Sequence, residues 1–100
     1  MRDRSAFLKP IAHRGLHDAA KGITENTVAA FEAAIGKGYG IECDVRPASC
    51  STPMVFHDLT LERLVEADGP LAAHEVAALK KLAYRNGGGK MIELADLLAL

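Results

Sequence analysis

The sequence predicts an α/β fold with about three parallel strands and two to three helices, arranged as in a parallel barrel. Three short apolar runs, at Ile11-Ala12, Tyr39–Val45 and Met54–Phe56, each carry a histidine or a carboxylate at or near their end. A helical pattern separates the first two runs, and strand-helix-strand is the crossover unit that makes neighbouring strands parallel. In a parallel barrel the C-terminal strand ends gather over one mouth, where the chemistry is kept.

The first strand is expected over roughly Leu8 to His13, with Ile11 and His13 sharing a face. A polar loop with Gly15, Asp18 and Gly22 follows. Val28, Phe31 and Ile35 then recur at helical spacing among alanines, with Asn26 or Thr27 as the cap and Gly36 and Gly38 as the stop. Tyr39 to Arg46 reads as the second strand. Its period of two points Glu42 and Asp44 to one face, and Ile41, Cys43 and Val45 to the other, toward the helices.

Pro47 to Pro53 is a loop of small and turn-forming residues, and Met54 to His57 a third strand, with Val55 and His57 on one face. After Gly69-Pro70 a second helix turns Val76, Leu79 and Leu82 inward, and Lys80 and Lys81 outward. Asn86-Gly87-Gly88-Gly89 ends it as a flexible connection, because it lacks the strand-to-helix context and the lysine of a phosphate loop. Ile92 to Leu100 starts a third amphipathic helix that stops in mid-pattern.

At 100 residues, 49% hydrophobic and 25% charged, the chain suits one small globular domain with one core. Twelve basic residues against thirteen acidic ones leave no whole-chain field for nucleic acid or an anionic membrane, so recognition of an anion must be local. No run reaches transmembrane length, and the polar start Met1–Ser5 is not followed by a signal-peptide core; the expected location is the cytoplasm. Cys43 and Cys50 are too few for a disulfide framework and lack zinc spacing, so both are expected as free thiols. His17 and His74 are expected to be exposed.

His13-Arg14-Gly15, Glu25-Asn26-Thr27 with Ala30-Phe31 and Ala34, Ile41-Glu42-Cys43-Asp44-Val45, and Val55-Phe56-His57-Asp58 with Leu61 and Arg63 stand in an order and spacing that resemble the glycerophosphodiester phosphodiesterase family. The resemblance covers essentially the whole chain but less than half of a family member. It implies the N-terminal portion of a (β/α)8 TIM barrel of the phospholipase-C-like phosphodiesterase type. It also implies cleavage of glycerophosphodiesters, as small-molecule substrates, to glycerol 3-phosphate and an alcohol with a divalent cation. His13 and His57 would be the acid/base pair, Arg14 a phosphate contact, and Glu42 and Asp44 metal ligands. The family's third metal carboxylate lies on a later strand, in a Glu-x-Lys setting outside this sequence. Local departures are Ser49-Cys50-Ser51-Thr52 in place of an Asp-Gly turn, Val65 in place of a threonine, and Ile92-Glu93 in place of Pro-Thr.

The residue types suit that chemistry. A diester phosphorus is shielded by negative oxygens, and two convergent carboxylates can hold a hard cation such as Mg²⁺ or Ca²⁺ against it. Histidine titrates near neutrality, so one imidazole can accept a proton while the other donates one; which does which is open. Arg14 offers a planar fork for two phosphate oxygens, with a salt bridge to Glu25 or Asp58 as its alternative. Glu42 and Asp44 could instead pair structurally with Arg14 or Arg63. Glu25 and Asn26 could support substrate or metal or simply start the helix, and Asp58 is expected to orient its neighbours.

A complete barrel of this type takes about 250 residues. The expectation is therefore a single partial domain over residues 1–100, the C-terminal remainder of the barrel being absent, with a half-site of little activity by itself. A non-catalytic phosphate-binding or assembly module, or a phospholipase-like phosphodiesterase with another substrate, are the alternatives.

Overall fold

A computed structural model describes residues 10–100. The predicted strand start at Leu8 lies outside the described residues. The first strand, β1 (Ile11–His13), pairs in parallel with β2 (Gly40–Glu42) in the register Ile11↔Gly40, Ala12↔Ile41 and His13↔Glu42. The helix between them, α1 (Val28–Gly36), is the crossover. It buries Ala30, Phe31 and Ala34 completely, whereas Ile35, expected inside, is half exposed. The buried stripe is thus narrow and centred on small residues, which lets the helix lie close to the strands.

Thr27 is the N-cap: its hydroxyl accepts the Ala30 N–H at 3.4 Å and donates to the Thr24 carbonyl at 2.7 Å. Asn26 takes no part in the cap. At the other end Gly38 adopts a left-handed φ of 70°, and the Gly38 and Tyr39 N–H groups bond the carbonyls of Ile35 and Ala34. This stops the helix and turns the chain into β2.

The second strand is shorter than the sequence predicts. The ladder breaks at Cys43-Asp44, and the chain resumes as β3 (Val45–Pro47), which pairs with β4 (Pro53–Val55) antiparallel rather than parallel. The reason is length. A parallel return needs a crossover of about a dozen residues, whereas the Ala48–Thr52 connection reverses directly. Ala48 N–H bonds the Thr52 carbonyl and Ser51 N–H the Ala48 carbonyl, each at 2.9 Å, with Ser51 left-handed at φ 67°. The described residues therefore hold one parallel pair and one antiparallel hairpin in place of three parallel strands. The Phe56 N–H to Asp44 carbonyl bond, 2.9 Å, ties the end of the hairpin to the break.

Beyond the hairpin, Met54, Phe56, Leu61, Val65, Leu71, Leu79, Tyr84 and Met91 form one buried cluster. Leu79 comes from α2 (Val76–Lys81), and Val76 and Leu82 flank it partly buried, as the periodicity predicts. Lys80 donates to Glu93 at 2.8 Å and lies 3.2 Å from Asp96, tying α2 to the start of α3 (Leu94–Leu98). Asp96 in turn accepts the Glu93 N–H at 3.0 Å, a start signal that replaces the expected Pro-Thr. His74 is half-buried rather than exposed, with Nδ1 2.9 Å from the Pro70 carbonyl.

Within the glycine run, the middle residue is packed. Gly88 is buried against Thr24, where a Cβ would overlap the hydroxyl, and Gly87 and Gly89 take left-handed φ values of 67° and 100°. Glycine is required here by close packing and turn geometry. No described helix is long and apolar enough to cross a membrane.

Candidate active site

His13 ends β1, and the chain then turns through two consecutive left-handed residues, Arg14 at φ 59° and Gly15 at φ 77°. Gly15 sits where a Cβ would lie 2.8 Å from the Cβ of Ala30, so the turn is pressed against α1 and only glycine fits. This turn places Arg14 over the end of β2. Its backbone N–H donates to Glu42 Oε1 at 3.2 Å, its Nη1 donates to Glu25 Oε2 at 3.1 Å, and its Nε lies 3.5 Å from Asp44 Oδ2. The Nε is buried and makes no hydrogen bond. The salt bridge from Arg14 to Glu25 therefore forms, and one to Asp44 accompanies it.

Glu42 and Asp44 converge on Arg14, although the strand has ended between them. Asp44 is oriented by Asn26, whose Nδ2 donates to Asp44 Oδ2 at 3.1 Å and whose Oδ1 accepts the Asp44 N–H at 3.4 Å. Asn26 is buried and left-handed at φ 55°, and its own N–H bonds the Arg14 carbonyl at 2.8 Å. Strain of this kind persists only where surrounding contacts enforce it. Among the described residues, Glu42 Oε2 and Asp44 Oδ1 accept no hydrogen bond, so each carboxylate has one oxygen anchored and one uncommitted. Cys43 between them is a half-buried free thiol, its pKa raised by burial and then by the two flanking carboxylates.

His57 lies two residues past β4. Its Nδ1 is 2.7 Å from Asp58 Oδ1, and its carbonyl accepts from Arg46 Nε at 2.8 Å. The Arg63 hydrogen bonds, ahead of the one from His57, hold Asp58 down at about 2. An ionised carboxylate can only accept, so Nδ1 of His57 carries the proton and Nε2 presents a lone pair in the neutral ring. His13 is more open: its side chain is 65% exposed and its Nε2 is 3.9 Å from Glu42 Oε1.

Arg63 was legible only as part of a Leu-x-Arg signature, with no role in the site beyond possible pairing. In the structure it joins the two halves. Nε and Nη2 donate to Asp58 at 2.8 and 3.1 Å, and Nη1 and Nη2 to Glu25 at 2.9 and 2.8 Å. Glu25 is buried, and the Arg63 hydrogen bond, foremost, lowers its pKa despite the burial. Neither Glu25 nor Asn26 caps the helix; both face this network. A second residue absent from the sequence reading is Tyr84, whose buried hydroxyl has no hydrogen-bond partner among the described residues and whose ring centroid is 6.2 Å from that of Phe56. Burial, and secondarily Glu25, raises its pKa. A lone tyrosine outside any motif gave no signal.

Contacts thus run without a break from His13 through Glu42, Arg14, Glu25, Arg63 and Asp58 to His57, with Asp44 and Asn26 alongside. Among the described residues no group of three or more histidines, cysteines and carboxylates could hold a metal ion by itself.

The chain is similar to several known proteins. A family model described as the glycerophosphoryl diester phosphodiesterase family matches residues 13–98. A glycerophosphodiester phosphodiesterase of Caldanaerobacter subterraneus is 38% identical over 73 residues, 72% of this chain and 29% of that protein. The human glycerophosphodiester phosphodiesterase 1 is 37% identical over 83 residues, 81% of this chain and 23% of its own length. The crystal structure of a glycerophosphodiester phosphodiesterase from Agrobacterium tumefaciens superposes with a TM-score of 0.77 at 31% identity, covering 90% of this chain and 41% of that one. An Oleispira antarctica phosphodiesterase solved with its product sn-glycerol-3-phosphate gives 0.78 at 27% identity, covering 94% and 41%. The chain spans less than a third of the length of these curated relatives. Its motifs, its fold and these matches agree: the chain belongs to the glycerophosphoryl diester phosphodiesterase family.

Proposed function

We propose that this chain supplies the first part of a (β/α)8 barrel that hydrolyses glycerophosphodiesters to glycerol 3-phosphate and an alcohol, with Mg²⁺ or Ca²⁺ held at Glu42 and Asp44. The observation that carries the reading is the disposition of those two carboxylates. Each is fixed by a hydrogen bond through one oxygen and leaves the other uncommitted, the outer-sphere support that ligating carboxylates require. The charge balance agrees: Glu25, Asp44 and Asp58 pair with the guanidinium groups of Arg14 and Arg63, Glu42 accepts only the Arg14 backbone N–H, and with Arg46 near His57 the four carboxylates still outnumber the three guanidinium groups. Further ligands would come from residues beyond this sequence.

The cation, when bound, neutralises charge on the phosphate oxygens and eases attack on phosphorus. Arg14, its Nη2 without a partner among the described residues, binds a phosphate oxygen. His57 Nε2 and the exposed imidazole of His13 then divide the proton work. One takes the proton of the attacking water, or of a glycerol hydroxyl whose cyclic phosphate a water then opens; the other gives a proton to the departing alcohol oxygen as its bond to phosphorus breaks.

The test is an assay of the full-length gene product for glycerol 3-phosphate release from a panel of glycerophosphodiesters. Mg²⁺- or Ca²⁺-dependent release, abolished by chelator and reduced at least about 100-fold in His13→Ala and His57→Ala, is expected. A folded wild-type protein that releases none from any substrate with either cation overturns the proposal.

A further inference from the structure

We propose that Arg63 is a positioning residue which, by bridging Asp58 and Glu25, fixes the tautomer of His57 and couples it to the Arg14 side of the site. This rests on the reading of His57 as part of the reaction centre, but it concerns a group that does not touch substrate.

Four donor contacts from one guanidinium carry the argument. Arg63 Nε and Nη2 reach the two oxygens of Asp58, and Nη1 and Nη2 reach the two oxygens of Glu25, at 2.8–3.1 Å. Among the described residues Asp58 is left with a single outward commitment, the 2.7 Å contact of Oδ1 with His57 Nδ1. Glu25 is left with one as well, the 3.1 Å bond from Arg14 Nη1 to Oε2. Arg63 therefore stands between a carboxylate that aims a histidine and a carboxylate that aims an arginine. The pair Arg63–Glu25 is separated by 38 positions in sequence, so it clamps the loop after β4 onto the loop before α1.

Only arginine has this reach. A planar fork can satisfy two carboxylates on two edges at once, whereas a lysine ammonium is a point charge that would have to choose one. With Asp58 ionised and immobile, the neutral imidazole has one allowed arrangement, proton on Nδ1 and lone pair on Nε2. Without the second anchor the Asp58 side chain is free to rotate, and both tautomers become accessible.

The experiment is ¹⁵N NMR of the histidine side chains in the full-length protein, wild type and the variants Arg63→Met and Arg63→Lys, read beside steady-state kinetics. In the wild type the neutral ring of His57 is expected as the Nδ1–H tautomer. In both variants a mixture is expected, with kcat reduced about 10- to 100-fold. Lysine should not rescue. An unchanged tautomer in the folded variants, or full rescue by lysine, overturns the proposal. Unfolding of both variants also does, because Arg63 would then hold the fold rather than aim the histidine. The tautomer is read independently of turnover, so a wild type inactive on every glycerophosphodiester but showing the predicted NMR change would fail the function above and leave the role of Arg63 standing.

Discussion

Asn26 grips Asp44 at both ends of its amide, Nδ2 to the carboxylate at 3.1 Å and Oδ1 to the backbone N–H at 3.4 Å. The residue does this from a left-handed backbone position in the interior, and both features can be separated by mutation. Asn26→Gly removes the amide while suiting φ 55°, and Asn26→Ala removes it and keeps the strain. Both variants of the full-length protein should lose about 10- to 100-fold in cation affinity, measured by activity titration. The alanine variant should in addition be about 1 kcal/mol less stable than the glycine variant by urea denaturation, the cost of a left-handed non-glycine residue without its compensating bond.

Gly15 has no room for a methyl group. Gly15→Ala would place a Cβ 2.8 Å from Ala30 Cβ and 2.9 Å from its backbone carbon, at a φ of 77°. Neither neighbour is a flexible side-chain end. The substitution should cost about 2–4 kcal/mol, from overpacking plus strain, and lower the denaturation midpoint accordingly.

Acid should loosen the site before it unfolds the rest. Asp58 is held at about 2 and Glu25 below its ordinary 4.5, in both cases with the Arg63 hydrogen bond as the first cause. A group whose folded pKa is depressed contributes stability above its unfolded pKa and loses it as pH falls through the folded value. Stability should therefore fall from about pH 4.5 to about pH 2, with Asp58 accounting for about 1–2 kcal/mol of the loss. In Arg63→Met the curve over this interval should be shallower. Equal slopes in equilibrium denaturation across that range would contradict the assignment.

Gly88 meets Thr24, and the contact can be tested as a pair. Gly88→Ala should destabilise by about 1–3 kcal/mol in the native background. In a Thr24→Gly background, where the obstructing side chain is gone, the same change should cost less than about 0.5 kcal/mol. A flexible connection would show no cost in either.

Much of this was visible in the chain itself. Val28, Phe31 and the alanines announced α1, Asn26 or Thr27 its cap, and Gly36 and Gly38 its end, because helix periodicity and capping are local properties. The strands were harder. Val45 and Val55 read as parts of two parallel strands, since alternation reports which face is buried and not which partner is beside it. The brevity of the Ala48–Thr52 connection was the available signal for the antiparallel hairpin. Glu42 and Asp44 converge as alternation predicts, but Arg14 and Asn26 bring them together after the ladder has ended, rather than the pleat of a continuous strand.

Sequence alone determined the family, through four motifs whose order and residue types are specific together, and it named the histidines, the carboxylates and Arg14 as the groups to watch. Only the tertiary structure decided how they are held: Asn26 faces Asp44 instead of capping α1, and Arg63 joins Glu25 to Asp58. The reason is distance along the chain. Periodicity and capping act over one or two turns, whereas an ion pair spanning 38 positions exists only after the loops before α1 and after β4 have been folded against one another.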